Sequence, residues 1–231
     1  MDKIAQVEIR KSDKLLYFKI AESLHLKKGD HCIVKFTQGT QDSGRILKFL
    51  DTRNFLKMTM SGKILRRLTS EDMLIIQENI SKKPEAFKIS QEKISTYNLP
   101  IKLVDIVYSF DKTKITFYYW SEERIDFRKL VKDLASIFTC RIEMKQIGLR
   151  DEARIKGGYG ICGRPLCCAT FLKRFEPITM RMVKNQRLPL DMSKITGLCG
   201  RLLCCLAYEE QFYKTAKKVE KKVEKKVEKK K

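Results

Sequence analysis

A duplicated cysteine motif constrains this chain more than any other feature of its sequence. Residues 162–168 read CGRPLCC, and 37 positions later residues 199–205 read CGRLLCC, with one difference, Pro165 against Leu202. Each copy has a glycine two residues before its first cysteine. Six of the eight cysteines fall inside the two motifs. Chance does not produce such a repeat, and the sequence therefore predicts a cysteine-rich C-terminal region with two equivalent motifs.

The spacing inside each motif requires a turn if its cysteines share a metal ion. Two thiolates on one zinc ion lie about 4 Å apart, whereas an extended five-residue segment spans up to about 17 Å. Gly163 and Gly200 allow such a turn, helped by Pro165 in the first copy. A helical pattern follows each turn and would place the adjacent cysteines in a first helical turn, where the dipole favours thiolate. Arg164 and Arg201 would then compensate the negative charge of the thiolates.

The residues alone leave three kinds of cysteine chemistry open. Clustered cysteines in a chain without a secretory signal favour metal or redox chemistry over structural disulfides. A C-x4-C spacing occurs in iron–sulfur proteins and lies at the edge of the range for zinc. An iron–sulfur cluster, zinc, and buried or redox-active thiols without metal all remain. Outside the motifs, Cys32 and Cys140 are expected to be small buried side chains, and His25 and His31 to be ordinary histidines.

The charge of the chain indicates a polyanionic partner. Lysine and arginine number 49 against 28 acidic residues, a net charge of +21. Residues 214–231 repeat Lys-Lys-Val-Glu and hold +7 of this excess, so we expect a disordered or frayed Lys-rich tail. The basic surface or the tail is a candidate for RNA contact. No apolar run reaches the length of a membrane span, and no signal peptide is recognisable, which predicts a cytoplasmic protein.

Hydrophobic periodicity predicts an α+β chain in five parts. The parts are a small β-barrel-like domain over 1–62, a helical linker or hairpin over 63–98, a compact α+β domain with an antiparallel sheet over 99–156, the cysteine-rich region over 157–213, and the tail over 214–231.

Finer predictions place individual elements within these parts. The barrel strands are expected at Gln6–Arg10, Leu15–Ile20, His31–Phe36 and Gly44–Leu50. Pro84 should split the helical segment. In the α+β domain we expect a hairpin over 104–119, then a helix capped by Asp126, then a strand from Cys140 to Met144.

The sequence contains no recognisable catalytic motif. It has no P-loop, no dinucleotide-binding glycine turn, no nucleophile elbow and no His-Glu-x-x-His. Asp151 and Glu152, flanked by Arg150 and Arg154, are interpreted as a surface ion-pair cluster rather than as paired catalytic acids. The sequence therefore predicts a protein that is not an enzyme.

Several segments besides the motifs resemble the YaaT/RicT family of bacterial proteins, which have a PSP-type C-terminal domain. They are LVKDLASIF at 130–138, QIG at 146–148 and RDEA at 150–153. The resemblance is close over about 100–208 and looser over 1–99. It implies a cytoplasmic, non-catalytic regulator that joins two smaller partners, RicA and RicF, in a complex carrying 4Fe-4S clusters.

The resemblance also implies a role and a set of ligands. The family's complex is a specificity factor for the endonuclease RNase Y in mRNA processing and is linked to a phosphorelay controlling sporulation and biofilm formation. The family's cluster ligands map onto the motif cysteines, in part together with partner cysteines: Cys162, Cys167, Cys168, Cys199, Cys204 and Cys205. The turn glycines would be Gly160, Gly163, Gly197 and Gly200.

A second hypothesis of another class stays open. In it the chain is an RNA-binding module whose basic surface contacts phosphates and whose C-terminal region is stapled by zinc. The two hypotheses differ in the metal that the purified chain should hold and in whether the chain alone binds RNA.

Overall fold

The computed structural model divides the chain into two compact units, Met1–Ile147 and Gly148–Lys231. The structure describes residues 3–9, 16–21, 23–50, 59–172 and 175–215. The predicted tail beyond 215, the end of the first predicted strand at Arg10 and the start of the second at Leu15 lie outside these residues. The observed division at 147 falls within the segment 99–156 that was predicted as one domain.

The first unit begins with a closed five-stranded barrel, which confirms the barrel-like prediction. Its strands are β1 (Lys3–Glu8), β2 (Leu16–Ile20), β3 (His31–Phe36), β4 (Gln41–Leu50) and β5 (Gly62–Arg67). Their order is β1-β2-β5-β3-β4, with β2 and β5 parallel. The fifth strand lies where the sequence predicted the start of a helical linker. The prediction missed it because a single six-residue strand has too short a pattern to be distinguished from a linker.

Alternation of side chains along the strands builds the barrel core. Phe18, Val34 and Ile46 are fully buried, and Phe36 packs edge-on against Phe18 with ring centroids 5.6 Å apart. Burial of each such side chain stabilises the fold by about 1.5–3 kcal/mol. Cys32 is also fully buried in this core, as predicted.

Two helices follow, α1 (Ser70–Ser81) and α2 (Lys83–Thr96). Thr69 begins α1 with a capping box, in which its side chain accepts from the Asp72 amide and the Asp72 side chain accepts from the Thr69 amide. Pro84 lies in the first turn of α2, where it needs no hydrogen-bond donor. The predicted split of the helical segment at this proline is confirmed.

The first unit ends with a three-stranded sheet and one helix. The elements are β6 (Lys102–Tyr108), β7 (Lys114–Trp120), α3 (Arg128–Phe138) and β8 (Arg141–Gln146). The predicted hairpin of β6 and β7 is confirmed, and the Arg128 amide donates to Asp126 Oδ1 at 3.0 Å at the start of α3. The prediction of an antiparallel sheet is wrong for β8, which pairs parallel with β7. The reason is that α3 forms a crossover, which returns the chain to the edge of the sheet where β7 began.

The second unit consists of short helices and loops around two small apolar clusters. The helices are α4 (Leu149–Lys156), α5 (Met180–Asn185), α6 (Met192–Ile195) and α7, over 204–215. One cluster centres on Ala153, Leu166 and Cys168, and the other on Val183, Ile195 and Leu206. Sequence analysis did not predict α4. Of the helices within the described ranges, none is both long and apolar enough to cross a membrane.

Candidate metal centre

The first cysteine motif folds into a tight loop closed by backbone hydrogen bonds. The Gly160 amide donates to the Arg164 carbonyl at 2.8 Å, and the Gly163 amide donates back to the Gly160 carbonyl at 3.0 Å. At the base of the loop, the Leu166 amide donates to the Gly158 carbonyl at 3.1 Å. The chain therefore reverses direction between Cys162 and the adjacent pair Cys167 and Cys168. The sequence analysis required such a turn if cysteines of one motif share a metal ion.

The second motif forms the same loop, bond for bond. The Gly197 amide donates to the Arg201 carbonyl at 2.9 Å, the Gly200 amide to the Gly197 carbonyl at 2.9 Å, and the Leu203 amide to the Ile195 carbonyl at 2.9 Å. Each bond joins residues 37 positions beyond their counterparts in the first loop. The sequence repeat is thus a structural repeat.

Two of the predicted turn glycines are required by backbone conformation. Gly163 has φ +72° and Gly200 has φ +70°, the left-handed region that glycine adopts at low cost. The other two predicted glycines stand beside sulfur. A Cβ atom at Gly160 would lie 3.4 Å from Cys162 Sγ, and one at Gly197 would lie 3.9 Å from Cys199 Sγ. The glycines therefore shape the loops and leave room beside the first sulfur of each.

The two copies differ after the loop. In the second copy the adjacent cysteines, Cys204 and Cys205, begin α7, which confirms the predicted helical continuation. In the first copy the chain makes only a helical turn, closed by Ala169 and Thr170 amides that donate to the Leu166 carbonyl. The predicted helix after Cys168 is therefore limited to a single turn within the described residues.

Five of the six motif cysteines lie close enough to influence one another electrostatically. The charges of Cys167, Cys168 and Cys199 act on Cys204, the charge of Cys199 acts on Cys168, and Cys167 and Cys204 act on Cys205. Cys199 also packs against the apolar cluster that contains Cys168. Cysteines from both loops therefore form one group, which we call the cysteine cluster.

The remaining motif cysteine differs from the cluster in its exposure. Cys162 is exposed to solvent. Its counterpart in the second loop, Cys199, is partly buried within the cluster. The repeat is therefore symmetric in backbone and asymmetric in the exposure of its first sulfur.

Burial raises the pKa of three of the cluster thiols and thereby favours their protonated form in the metal-free chain. Burial, and then the neighbouring Cys199, raise the pKa of Cys168. Burial likewise raises the pKa of Cys204. Burial, Glu209 and Cys167 together raise the pKa of Cys205 to about 11. A bound metal ion would reverse this balance, because thiolate is the form that ligates.

Two arginines of α4 bring positive charge to the cluster. The charge of Arg150 lowers the pKa of Cys168 and of Cys204, and the charge of Arg154 lowers the pKa of Cys168. These effects are smaller than the rise in pKa that burial causes at both thiols. Their guanidinium groups lie 4.9 and 5.8 Å from the Phe175 ring centroid. Arg150 Nη2 donates to the Leu202 carbonyl at 3.3 Å, and α4 is thereby attached to the second loop.

These arginines correct the interpretation of 150–154 as a surface ion-pair cluster. Arg154 does pair with Asp151, yet its side chain is only 8% exposed, and Glu152 is buried. The sequence signal that was missed is the i,i+4 spacing of Arg150 and Arg154, which places both on one helix face. The arginines predicted to compensate charge, Arg164 and Arg201, are exposed, and their role stays a prediction.

The residues present suit a group bound by sulfur, although they do not form a finished site. Among the described residues, no three cysteine, histidine or acidic side chains converge tightly enough to hold a metal ion. The donor set of the cluster is nevertheless all sulfur, which suits zinc or iron–sulfur ligation. Arg150 Nε is buried and has no hydrogen-bond partner among the described residues. Thiolate and sulfide accept hydrogen bonds, and a buried N–H donor next to several sulfurs can supply one.

Comparison with known families shows the class of protein. The PSP1 C-terminal conserved region matches residues 62–147, from the first residue of β5 to the end of the first unit. The third domain of PSP1-like proteins matches residues 177–220, which include the second cysteine loop. These matches identify the chain as a PSP1-type protein.

Within that class the chain belongs to the YaaT family. It is 43% identical over 217 residues to the Stage 0 sporulation protein YaaT of Bacillus subtilis (strain 168), and this alignment covers 94% of the present chain and 78% of the relative. The resemblance inferred from the cysteine motifs is therefore confirmed.

Fungal relatives share shorter segments. A Schizosaccharomyces pombe (strain 972) protein is 34% identical over 82 residues, and Protein PSP1 of Saccharomyces cerevisiae (strain S288c) is 45% identical over 51 residues. These segments cover 36% and 21% of the present chain, and only 11% and 6% of the fungal chains. No solved structure matches the chain.

Proposed function

We propose that this chain is a non-catalytic, cytoplasmic regulatory subunit that binds a 4Fe-4S cluster through its two cysteine loops. It would act with RicA-like and RicF-like proteins in a complex that modulates RNase Y-dependent mRNA processing. A phosphorelay role would follow from the same complex. The proposal extends the family membership, and the name of the Bacillus relative, which refers to sporulation, supports its regulatory part.

The observation that carries the proposal is that five cysteines from two equivalent loops lie close enough to influence one another electrostatically. A single 4Fe-4S cluster needs four thiolates, and Cys167, Cys168, Cys199, Cys204 and Cys205 supply more than that number from one chain. The cluster, when bound, would supply thiolate–iron bonds that tie the two loops together. The chain itself would contribute the positive charge of Arg150 and Arg154 against the net negative charge of thiolates and sulfides.

Exposed apolar side chains beside the loops support assembly with partners. Ile161 and Leu198 occupy equivalent positions before the first cysteine of each loop, and they are 59% and 65% exposed. Tyr159 is 70% exposed next to them. Large apolar side chains at such exposure are typical of interaction surfaces. A partner covering this surface would also reach Cys162, whose exposed sulfur is available for ligation shared between chains.

The test is the metal content of the chain purified without oxygen, alone and co-expressed with its RicA-like and RicF-like partners. We expect iron and acid-labile sulfide in equal amounts, with a broad absorption band near ~400 nm, as is typical of Fe–S clusters. Cys204→Ser should remove iron and complex assembly together. Cys140→Ser is the matched control, since the half-buried Cys140 immediately precedes β8 in the first unit and should leave iron unchanged.

Three results would contradict the proposal. Zinc without sulfide would favour the zinc-stapled RNA-binding module instead. A Cys204→Ser chain with full iron and full assembly would show that neither cluster binding nor assembly depends on Cys204. Absence of iron from the co-expressed complex would end the iron–sulfur hypothesis altogether.

The RNA-processing part is tested in cells. In a strain that lacks the chain, transcript ends generated by RNase Y should be restored by the unaltered chain and by Cys140→Ser, but not by Cys204→Ser. Restoration by all three chains would show that RNA processing does not require Cys204.

A further inference from the structure

Helix α1 buries polar side chains and exposes apolar ones, which reverses the usual arrangement of a surface helix. Asp72 and Asn79, seven residues apart on one face of the helix, are buried. Met73, Leu74 and Ile80 are 55%, 72% and 54% exposed. Several large apolar side chains exposed together on one element are typical of a surface that another molecule covers.

The buried polar side chains attach α1 to the rest of the first unit. Arg66 Nη2 on β5 donates to Asp72 Oδ1 at 2.8 Å, and Asn79 Nδ2 donates to the Ser109 carbonyl oxygen at 3.3 Å. These contacts fix the rotation of the helix about its axis and hold its apolar side chains on the outside. The exposed apolar face is therefore built into the fold of this unit.

The exposed side chains form one stripe along the helix. Met73, Ile76 and Ile80 follow the spacing i, i+3 and i+7, which places them in one row on the helix surface. Leu74 lies beside the first of them, and we call these four residues the apolar stripe. Because a row of this kind packs into the groove of a second helix, the apolar stripe suits a helical partner.

The C-terminal end of the apolar stripe borders a cavity of about 180 Å³. Ile76 and Ile80 line one side of it, and further apolar lining comes from β6 and the turn after it: Ile106, Val107 and Phe110. An apolar cavity of about 150 Å³ is large enough to bind benzene. The cavity beside α1 therefore has room for one aromatic ring.

One buried polar atom of a residue that lines this cavity lacks a partner. Asn79 lines the cavity and is 9% exposed, and its Oδ1 atom has no hydrogen-bond partner among the described residues. Lys83, which also lines the cavity, already pairs with Asp105 at 2.5 Å. A buried acceptor without a donor is unfavourable, and a ligand with an N–H or O–H group would satisfy it.

The room for a ring and the need for a donor together define the occupant. Tryptophan and tyrosine each combine an aromatic ring with one N–H or O–H donor, and these side chains often anchor protein partners in pockets. We propose that the apolar stripe and the cavity form a docking site for a helix of a partner protein, whose tryptophan or tyrosine fills the cavity and donates a hydrogen bond to Asn79 Oδ1. The site includes no cysteine, so its test requires no metal.

Other occupants suit this surface less well. A small molecule would fill the cavity and leave Met73 and Leu74 exposed. A helix that lies on an anionic membrane carries lysine or arginine beside its apolar face, whereas α1 contains three acidic residues and no basic one. Glu71, which is exposed one turn before Leu74, instead favours a partner helix with basic side chains beside its apolar face.

The cavity is tested with indole and 1-methylindole, which differ in the N–H donor. Binding of each compound to the full chain is measured from amide shifts in NMR spectra. Indole should shift the amides of Ile76, Ile80 and Val107. It should bind at least about tenfold more tightly than 1-methylindole, because only indole can donate to Asn79 Oδ1. Equal affinities, or shifts confined to other residues, would overturn the proposal.

Matched variants locate the site. Ile80→Ser removes part of the cavity lining, and Ile137→Ser alters an isoleucine on α3 that is 42% exposed. Ile80→Ser should weaken indole binding at least about fivefold and Ile137→Ser should leave it unchanged, since only the first removes apolar contacts with the ring. Asn79→Leu should abolish the preference for indole over 1-methylindole. If a melting curve shows that this variant does not fold, the two serine variants decide, and equal effects of both would contradict the proposal.

The helical partner is tested by selecting a phage-displayed library of random peptides of about 16 residues, just over four helical turns, on the full chain. Enriched peptides should carry tryptophan or tyrosine with apolar residues at i, i+3 and i+7, compete with indole, and bind Ile80→Ser more weakly than Ile137→Ser. Peptides without such a ring, or none enriched, would overturn the proposal. Peptides that bind no more tightly than indole would assign the cavity to a small molecule. Binding to phosphatidylserine vesicles, or dimerisation of the chain, that Ile80→Ser alone abolishes would assign the stripe to a membrane or to a second copy and overturn it too.

Discussion

The barrel and the cysteine region obtain their structure by different means. The barrel closes a hydrogen-bonded sheet around one cluster of eight buried side chains. The cysteine region has two clusters of three buried residues each, and its loops and short helices leave large apolar side chains such as Leu198 and Phe212 more than half exposed. Since small cores rarely stabilise a fold unaided, the second region depends on a crosslink, a partner or both.

This difference assigns separate tasks to the two regions. A barrel that folds on its core alone can present a fixed surface whether or not a metal is bound. A region with little core can couple folding to metal binding, because ligation free energy then becomes folding free energy. Each prediction below acts on one region and uses the other as its internal control, in order of decreasing expected effect.

The largest effect should come from removing the metal. Chelation of the loaded protein, or Cys204→Ser, should abolish most hydrogen-exchange protection over 175–215, since metal ligation contributes on the order of 10 kcal/mol in small metal-dependent folds. Peptides of β1 to β5 should keep their protection in the same sample. Hydrogen exchange measured by mass spectrometry reports both regions at once.

The same response of hydrogen-exchange protection in both regions would contradict the difference between them. If the chelated chain keeps full protection over 175–215, the two small apolar clusters suffice and the cysteines are not structural. If protection falls equally in the barrel, the two regions unfold as one unit and their separate tasks are not supported.

The converse prediction alters the barrel. Phe18→Ala removes a fully buried ring that packs against Phe36, and it should lower the free energy of unfolding of the barrel by about 3–5 kcal/mol. Urea unfolding followed by circular dichroism measures this loss. Iron per chain should stay within error of the unaltered protein. A parallel loss of iron would show that the cysteine region needs the barrel in order to hold its metal.

Most of the first unit follows from local sequence patterns. Alternation identified β2, β3, β4 and the hairpin of β6 and β7, and Pro84 identified the break between the helices. The parallel pairing of β8 was missed because strand direction depends on the crossover made by α3, which periodicity within a strand does not encode. The closing strand β5 was missed because its partners β2 and β3 are distant in the sequence.

The two equivalent loops of the candidate site could be predicted from the sequence, but the residues that pack around the loops could not. The equal offset of the two motifs predicted equivalent loops, and the glycine positions predicted the turns. The grouping of five cysteines and the solvent exposure of Cys162 depend on how the loops pack, which spacing cannot specify. Arg150 and Arg154 were misinterpreted because adjacent acids suggested surface pairs, whereas burial against Phe175 is a tertiary property.

The smallest effect should come from a single methyl group at a turn glycine. Gly163→Ala in the first cysteine loop and Gly39→Ala in the barrel are matched substitutions, because both glycines have positive φ, +72° and +95°, and in neither case would a Cβ meet another atom within 4 Å. Each should impose a backbone strain of about 1–2 kcal/mol. The barrel should absorb this strain, with a slightly lower unfolding free energy and unchanged iron.

The same strain should have a different consequence in the cysteine loop. There it opposes the loop that positions Cys167 and Cys168, and 1–2 kcal/mol corresponds to about a 5–30-fold loss in metal affinity. Competition with a chelator measures this loss, and Gly200→Ala should reproduce it in the second loop. Equal iron retention in the Gly39 and Gly163 variants would show that the loop conformation is not coupled to ligation. The structural repeat would then be a feature of the fold without a role in metal binding.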